Sequence, residues 1–276
     1  MSEKKAFVID VARCSGCYNC QLACKDEYCD NNWMPYAKPQ PDVGQFWLRV
    51  DPHECGTIPK VRMHYIPRLC NHCDDASCMV AAPDAVYRRE DGLVIIDPEK
   101  ATGNRALVDS CPYGVIYWNE ELNLPQKCTG CAHLLDNGNG VPRCVEACPT
   151  DAFKFGTETE LKELIAEAEV LQPLQPKSDH SPRVYYLNIP KGFIAGTVYD
   201  PVDREVVIGA VCLLTCGGDE WTVITDDYGD FWFENLQQER QYDLKIESTG
   251  FITKSFTALS PVKDINLGDV PLDRKA

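Results

Sequence analysis

The sequence of 276 residues has no apolar run near the roughly 18 residues that a membrane helix needs, so direct insertion into a bilayer is not expected. Its first ten residues, Met1 to Asp10, hold no apolar stretch long enough for a secretory signal, and a soluble, unanchored complex is expected in the cytoplasm. Positive charge is scarce: 27 Lys and Arg stand against 42 Asp and Glu, a formal charge of −15. A nucleic-acid partner is therefore not expected, because phosphate contacts need a basic face. No Ser/His/Asp set, Gly-rich phosphate loop or isolated carboxylate pair stands out, so no bond-making step is expected of this chain itself. What the sequence has in excess is cysteine. There are 16, and all but Cys212 and Cys216 precede residue 150.

The charge also divides unevenly, with a net −5 over residues 1–156 and −10 over 157–276. The first part is rich in short Pro and Asp-Gly turns and poor in long periodic segments. Thr157-Glu158-Thr159-Glu160 has the spacing of a capping box. Leu161, Leu164, Ile165, Ala168 and Leu171 follow at helical spacing, which predicts a closing helix over 158–170. These features delimit a first domain over 1–172, with an irregular insert at 29–66, followed by a polar, proline-rich linker over 173–189. Residues 190–276 read as a small antiparallel β sandwich or barrel of six or seven strands. The candidate strands are 193–198, 210–215, 221–225, 230–233, 242–247 and 254–258, and the fold class is α+β. The run Thr225 to Phe231 resembles the turn of transthyretin-like and carboxypeptidase-regulatory-like domains, which pack or bind.

The cysteines fall into four blocks: Cys14-x2-Cys17-x2-Cys20-x3-Cys24; Cys70-x2-Cys73-x4-Cys78 before Ala82-Pro83; a lone Cys111-Pro112; and Cys128-x2-Cys131-x12-Cys144-x3-Cys148-Pro149. Three thiolates on a tight loop, with a distant fourth before proline, is bacterial ferredoxin spacing, in which the fourth cysteine serves the other 4Fe-4S cluster. Disulfides are not expected in a chain with no export signal of its own. Zinc sites pair one C-x2-C with another, which block one does not do. Exchange of fourth ligands between blocks one and four gives a first cluster on Cys14, Cys17, Cys20 and Cys148. The second takes Cys24, Cys128, Cys131 and Cys144. Blocks two and three give a third on Cys70, Cys73, Cys78 and Cys111. Counting back from Cys111 puts Leu107, Asn104 and Ala101 where thiols would stand, and Ala82 takes the remaining position. One complete ligand set is missing while the others are intact, with Lys100 and Gly103 as surviving scaffold. The expectation is three 4Fe-4S clusters in tandem ferredoxin-like units, and one erased site.

Blocks ordered in this way resemble the iron–sulfur subunits of the dimethyl sulfoxide reductase family of molybdenum enzymes, over about residues 1–156. The resemblance implies electron transfer along the clusters. It also implies a large catalytic partner carrying molybdenum bis-molybdopterin guanine dinucleotide. Members usually carry four clusters, and this chain departs by lacking one. A respiratory reductase subunit for sulfoxide, polysulfide, tetrathionate or nitrate is the alternative, and a cluster-stapled interaction subunit is another. Export to the periplasm on a partner is open to members of this family.

Cys29, Cys55, Cys212 and Cys216 are surplus to the ligand sets and read as structural. His72 and His133 lie inside cysteine blocks, but every cluster already has four thiolates, so a hydrogen bond or surface role is expected of them. Arg13, Lys25 and Lys127 each neighbour a ligand, where positive charge would favour the reduced cluster. The insert, with Trp33, Trp47 and five prolines, suggests a docking surface for the partner.

Overall fold

A computed structural model describes residues 3–138, 140–174 and 180–275. The chain divides into two compact units, Met1–His53 with His64–Ile189, and Glu54–Met63 with Pro190–Ala276. Among the described residues no helix is long and apolar enough to cross a membrane.

In the first unit, β1 (Lys5–Asp10) leads through a 3-10 turn into α1 (Asn19–Tyr28). A long pair of strands follows, β2 (Arg49–Thr57) and β3 (Lys60–Arg68), then α2 (Ser77–Ala81). Two short hairpins, β4 (Val86–Arg88) with β5 (Val94–Ile96) and β6 (Tyr117–Asn119) with β7 (Leu124–Gln126), flank α3 (Ala106–Asp109). The unit closes with α4 (Ala132–Asp136), α5 (Arg143–Glu146), β8 (Phe153–Thr157), α6 (Lys162–Glu167) and β9 (Val184–Leu187).

The strand β1 is central, antiparallel to β8 and parallel to β9. Alternation along it separates two environments. Phe7 and Ile9 enter the core that also holds Cys20, Cys24, Cys128 and Cys144, while Ala6 and Val8 pack with Leu161, Leu164 and Ile165. The capping box forms: the Glu160 carboxylate accepts from Thr157 N at 2.7 Å, and the Thr157 hydroxyl accepts from Glu160 N at 3.1 Å. The helix expected over 158–170 is nevertheless only Lys162–Glu167. It stops because the chain leaves it to bridge β9, Glu169 and Tyr186 exchanging backbone hydrogen bonds. The expected linker 173–189 therefore ends in a strand of the first unit, and its residues 175–179 lie outside the described residues.

Two aromatic side chains of the insert pack within the first unit. Trp47 is fully buried against Tyr28, ring centroids 4.5 Å apart, and Trp33 stacks on His133 at 4.2 Å. The far end of the β2–β3 pair belongs to the second unit.

The second unit is a sandwich of two four-stranded sheets; the barrel alternative does not close. One sheet has β10 (Gly192–Asp200) between β11 (Glu205–Val206) and β14 (Asp230–Leu236), with β17 (Ile265–Pro271) also on β10. The other runs β13 (Asp219–Ile224), β12 (Val211–Cys216), β15 (Tyr242–Glu247), β16 (Lys254–Leu259). The sandwich is not wholly antiparallel, because β17 runs parallel to β10. Strict alternation in β15 sends Tyr242, Leu244 and Ile246 to the core, where Cys212 and Cys216 pack as small apolar residues. In the turn before β14 the Asp226 carboxylate accepts from Tyr228 N and Asp230 N, each at 2.9 Å.

The hairpin end fastens to this unit with charge. Lys60, 5% exposed, pairs with Asp230, and Arg62 lies over the Trp232 ring at 4.1 Å while its Nε meets Glu234 at 3.1 Å. Asp264 accepts from Gly56 N at 2.9 Å. Removing one partner of a mostly buried pair strands the other charge, so Lys60→Ala is expected to cost about 3 kcal/mol. Chemical denaturation of the full chain, followed by tryptophan fluorescence, measures this; an unchanged midpoint would show that the pair contributes nothing.

Candidate metal centres

The ligand loops share one backbone device. The residue before the second cysteine has positive φ in each: Gly16 at 68°, His72 at 45° and Gly130 at 66°. This turns its amide toward the first thiol of the loop: His72 N donates to Cys70 Sγ at 3.5 Å and Gly130 N to Cys128 Sγ at 3.3 Å, and Gly16 N bonds Cys14 likewise. Side chains are excluded where the loop touches the core. A Cβ on Gly16 would lie 2.6 Å from the Tyr65 ring, and one on Gly130 2.8 Å from Leu93.

Three groups of four thiols come together. Cys14, Cys17 and Cys20 meet Cys148, and Cys24 meets Cys128, Cys131 and Cys144. Helix α1 divides the first block between them, since Cys20 and Cys24 stand one turn apart; Cys144 and Cys148 do the same beside α5. The third group, Cys70, Cys73, Cys78 and Cys111, lines a cavity of about 360 Å³, counting its opening, together with His72, Val94, Tyr113 and Lys127.

Among the described residues no three His, Cys, Asp or Glu side chains converge tightly enough to hold one ion. Electrostatics agree with a multivalent occupant. Burial, then repulsion from neighbouring thiols, pushes Cys20 and Cys128 up to about 12 and Cys78 to about 11. Cys24 and Cys144 are driven well above their usual range for the same reasons. Four such groups ionise together only around added positive charge. Cys148 is the exception: burial would raise it, but hydrogen bonds from Thr150 and the amides of Ala152 and Phe153 outweigh that and lower it.

The three groups stand in series. Cys20 bears on Cys24 and Cys144 at one junction, and Cys70 on Cys128 at the other. Lys127 occupies the second junction, 3% exposed, its ammonium donating to the carbonyls of Val94 and Cys128. Burial lowers its pKa, but Cys70, Cys78 and Cys128 overcome this and raise it, so it stays charged. Arg13 instead donates to the Thr150 carbonyl at 3.0 Å, and the Lys25 ammonium to the carbonyls of Pro41 and Gln45; both brace loops. His133 Nε2 meets Glu27 at 2.8 Å. Tyr28, whose hydroxyl pairs with Thr129 at 2.7 Å and touches Cys131, belongs to the second site, although nothing in the cysteine spacing marks it. Cys29 and Cys55 join none of the groups; Cys55 lies near Asp264 in the second unit.

Where the fourth set would stand, Ala82, Ala101 and Leu107 pack in one apolar cluster with Ala76, Val94 and Ile96. Asn104 is half-buried at its edge. The turn survives without its ligands, Gly103 keeping φ at 79°. Lys100, the counterpart of Lys127, points to solvent and pairs with Asp97 at 3.5 Å.

Neighbouring groups of cysteine thiols on ferredoxin-like loops are the mark of an iron–sulfur electron-transfer protein. Residues 61–158 match a 4Fe-4S dicluster domain, and residues 194–272 a carboxypeptidase regulatory-like domain. The pyrogallol hydroxytransferase small subunit of Pelobacter acidigallici is 38% identical over 280 residues, 98% of this chain and 100% of that one. A subunit of the tetrathionate reductase of Salmonella typhimurium is 32% identical over 68% of this chain and 74% of its own length. A subunit of the anaerobic dimethyl sulfoxide reductase of Escherichia coli is 34% identical over 63% of this chain and 83% of its own. The chain thus belongs to the family of iron–sulfur subunits of molybdenum oxidoreductases.

Proposed function

We propose that this chain is the electron-transfer subunit of a soluble, cytoplasmic heterodimer that converts pyrogallol to phloroglucinol, with molybdenum and its bis-molybdopterin guanine dinucleotide on the large partner. In this reading Cys14, Cys17, Cys20 and Cys148 hold one 4Fe-4S cluster, Cys24, Cys128, Cys131 and Cys144 a second, and Cys70, Cys73, Cys78 and Cys111 a third. Bound clusters supply one-electron storage and transfer. The chain's own residues space the clusters, exclude water from them and, through amide N–H groups and Lys127, favour their reduced state.

The observation that favours this reading is that the third thiol group packs against an apolar core where a fourth site would be, while Cys70 neighbours Cys128 on its other side. Pyrogallol and phloroglucinol are isomers, so their interconversion exchanges no net electrons with an outside carrier. A series closed at one end suits such a reaction better than a respiratory conduit, which needs an exit. Coverage points the same way, since the two reductase subunits match only 63–68% of this chain, whereas the hydroxytransferase subunit matches the carboxypeptidase-regulatory-like unit as well.

The purified complex, assayed anaerobically, is expected to turn pyrogallol into phloroglucinol without added electron donor, and a redox titration should reveal three reversible clusters. Turnover of tetrathionate or a sulfoxide with a reduced dye, and none of pyrogallol, would overturn the substrate. Clusters inert from about −700 to +450 mV would make them structural staples.

A further inference from the structure

One buried donor beside the third site has no partner among the described residues. His72, 2% exposed, lines the cavity that Cys70, Cys73, Cys78 and Cys111 surround. Its Nδ1 accepts a hydrogen bond from Val94 N at 3.0 Å, which places the proton of the neutral ring on Nε2. That Nε2 is buried and no protein acceptor meets it. A buried donor left unmet costs about 1–3 kcal/mol, so its retention asks for an acceptor within the cavity. The side chains around the cavity are sulfur and hydrocarbon, with the hydroxyls of Ser77 and Tyr113, the amide of Asn71 and the cationic Lys127, and none of these meets Nε2.

We infer that His72 tunes the third cluster by donating a hydrogen bond from Nε2 to one of its sulfurs, either an inorganic sulfide or a cysteine thiolate. The inference rests on the proposed ligand set for that site. Its geometry is enforced from the far side of the ring: the Val94 amide, the first residue of β5, fixes the tautomer and aims Nε2. The left-handed backbone of His72, at φ 45°, sets the ring where the glycines of the other loops have nothing. A hydrogen bond to sulfur stabilises the more negative, reduced cluster and so raises its potential. Lys127, lining the same cavity, acts in the same direction. No covalent step is involved; the residue biases where an electron rests along the series.

The test uses the full heterodimer labelled with 15N-histidine, reduced anaerobically and examined by pulsed EPR. One of three loaded clusters should show a 15N coupling, and His72→Asn, which tolerates positive φ but cannot span from Val94 to the cavity, should abolish it. In that variant the midpoint of the same cluster should fall enough to change its oxidised-to-reduced ratio about tenfold at fixed potential, about 59 mV for one electron, with the other two unmoved. If His72→Asn fails to retain the third cluster, a labelled His133→Gln protein decides instead, since the coupling must survive there. No histidine coupling with three clusters loaded, or a coupling that vanishes with His133, overturns the inference alone. Fewer than three clusters in the wild type, seen directly in iron content, would remove the ligand reading beneath it.

Discussion

Cys111→Ser is expected to leave the chain with about eight iron atoms and eight sulfides, where the unaltered chain loads about twelve of each, four per cluster. Cys111 is the only ligand that block three contributes, and it lies with Cys70, Cys73 and Cys78 around one cavity. It shares no thiol with the other two groups, so the lost cluster should be the third alone. Serine keeps the backbone turn, including the hydrogen bond from Gly114 N to the carbonyl of residue 111, and replaces only the sulfur. The positions Ala82, Ala101, Asn104 and Leu107 offer no replacement thiol. Iron and labile sulfide analysis, with EPR to identify which signal disappears, makes the measurement. Loss of the cluster on Cys14 or Cys24 would refute the pairing, and sixteen irons in the unaltered chain would show the fourth site filled.

How much of this was legible in the sequence follows from how local each cause is. The thiol blocks are legible because their spacing is local, and the structure brings Cys70, Cys73, Cys78 and Cys111 around one cavity. The expected erased site rests on the same counting: Gly103 keeps its turn, while Ala82, Ala101 and Leu107 pack as apolar core. The capping box of Thr157 and Glu160 is local and forms as read, but the length of its helix is not. A bridge from Glu169 to Tyr186, far along the chain, stops it early.

Non-local contacts account for the other differences. The β17 strand escapes a reading by alternation because its pairing with β10 shifts register between Ala195 and Thr197, opposite Gly268, whose positive φ interrupts the period. Residues 54–63 read as part of an insert beside the cysteines, yet their partners are Asp230, Trp232, Glu234 and Asp264. The aromatic residues of that insert suggest a surface, but Trp47 finds Tyr28 and Trp33 finds His133 within the same unit. Lys127 and Lys100 precede equivalent positions and are indistinguishable as letters. One is buried among thiols and the other pairs with Asp97 in solvent, because only the first has cysteines around it.

The same contrast gives the second large effect. Where a cluster is absent, burial must hold the loop that iron would otherwise tie, and Leu107 is the largest side chain filling that place. It is fully buried among Ala82, Ala101, Val94, Ile96 and Ile116. Leu107→Ala removes three carbons from a position with no solvent to refill it, and should destabilise the first unit by about 2–5 kcal/mol. The iron content should be unchanged, since the residue is no ligand and Cys111 lies beyond α3. Leu107→Cys is the informative companion: one thiol facing Ala82, Ala101 and Asn104 cannot assemble a cube, so it should also cost stability and add no iron. Urea denaturation of the anaerobically loaded protein, with iron measured before unfolding, separates these outcomes. A loss below about 1 kcal/mol for Leu107→Ala would mean that the packing around the vacated ligand positions does not hold the loop, and that the third cluster alone supports it.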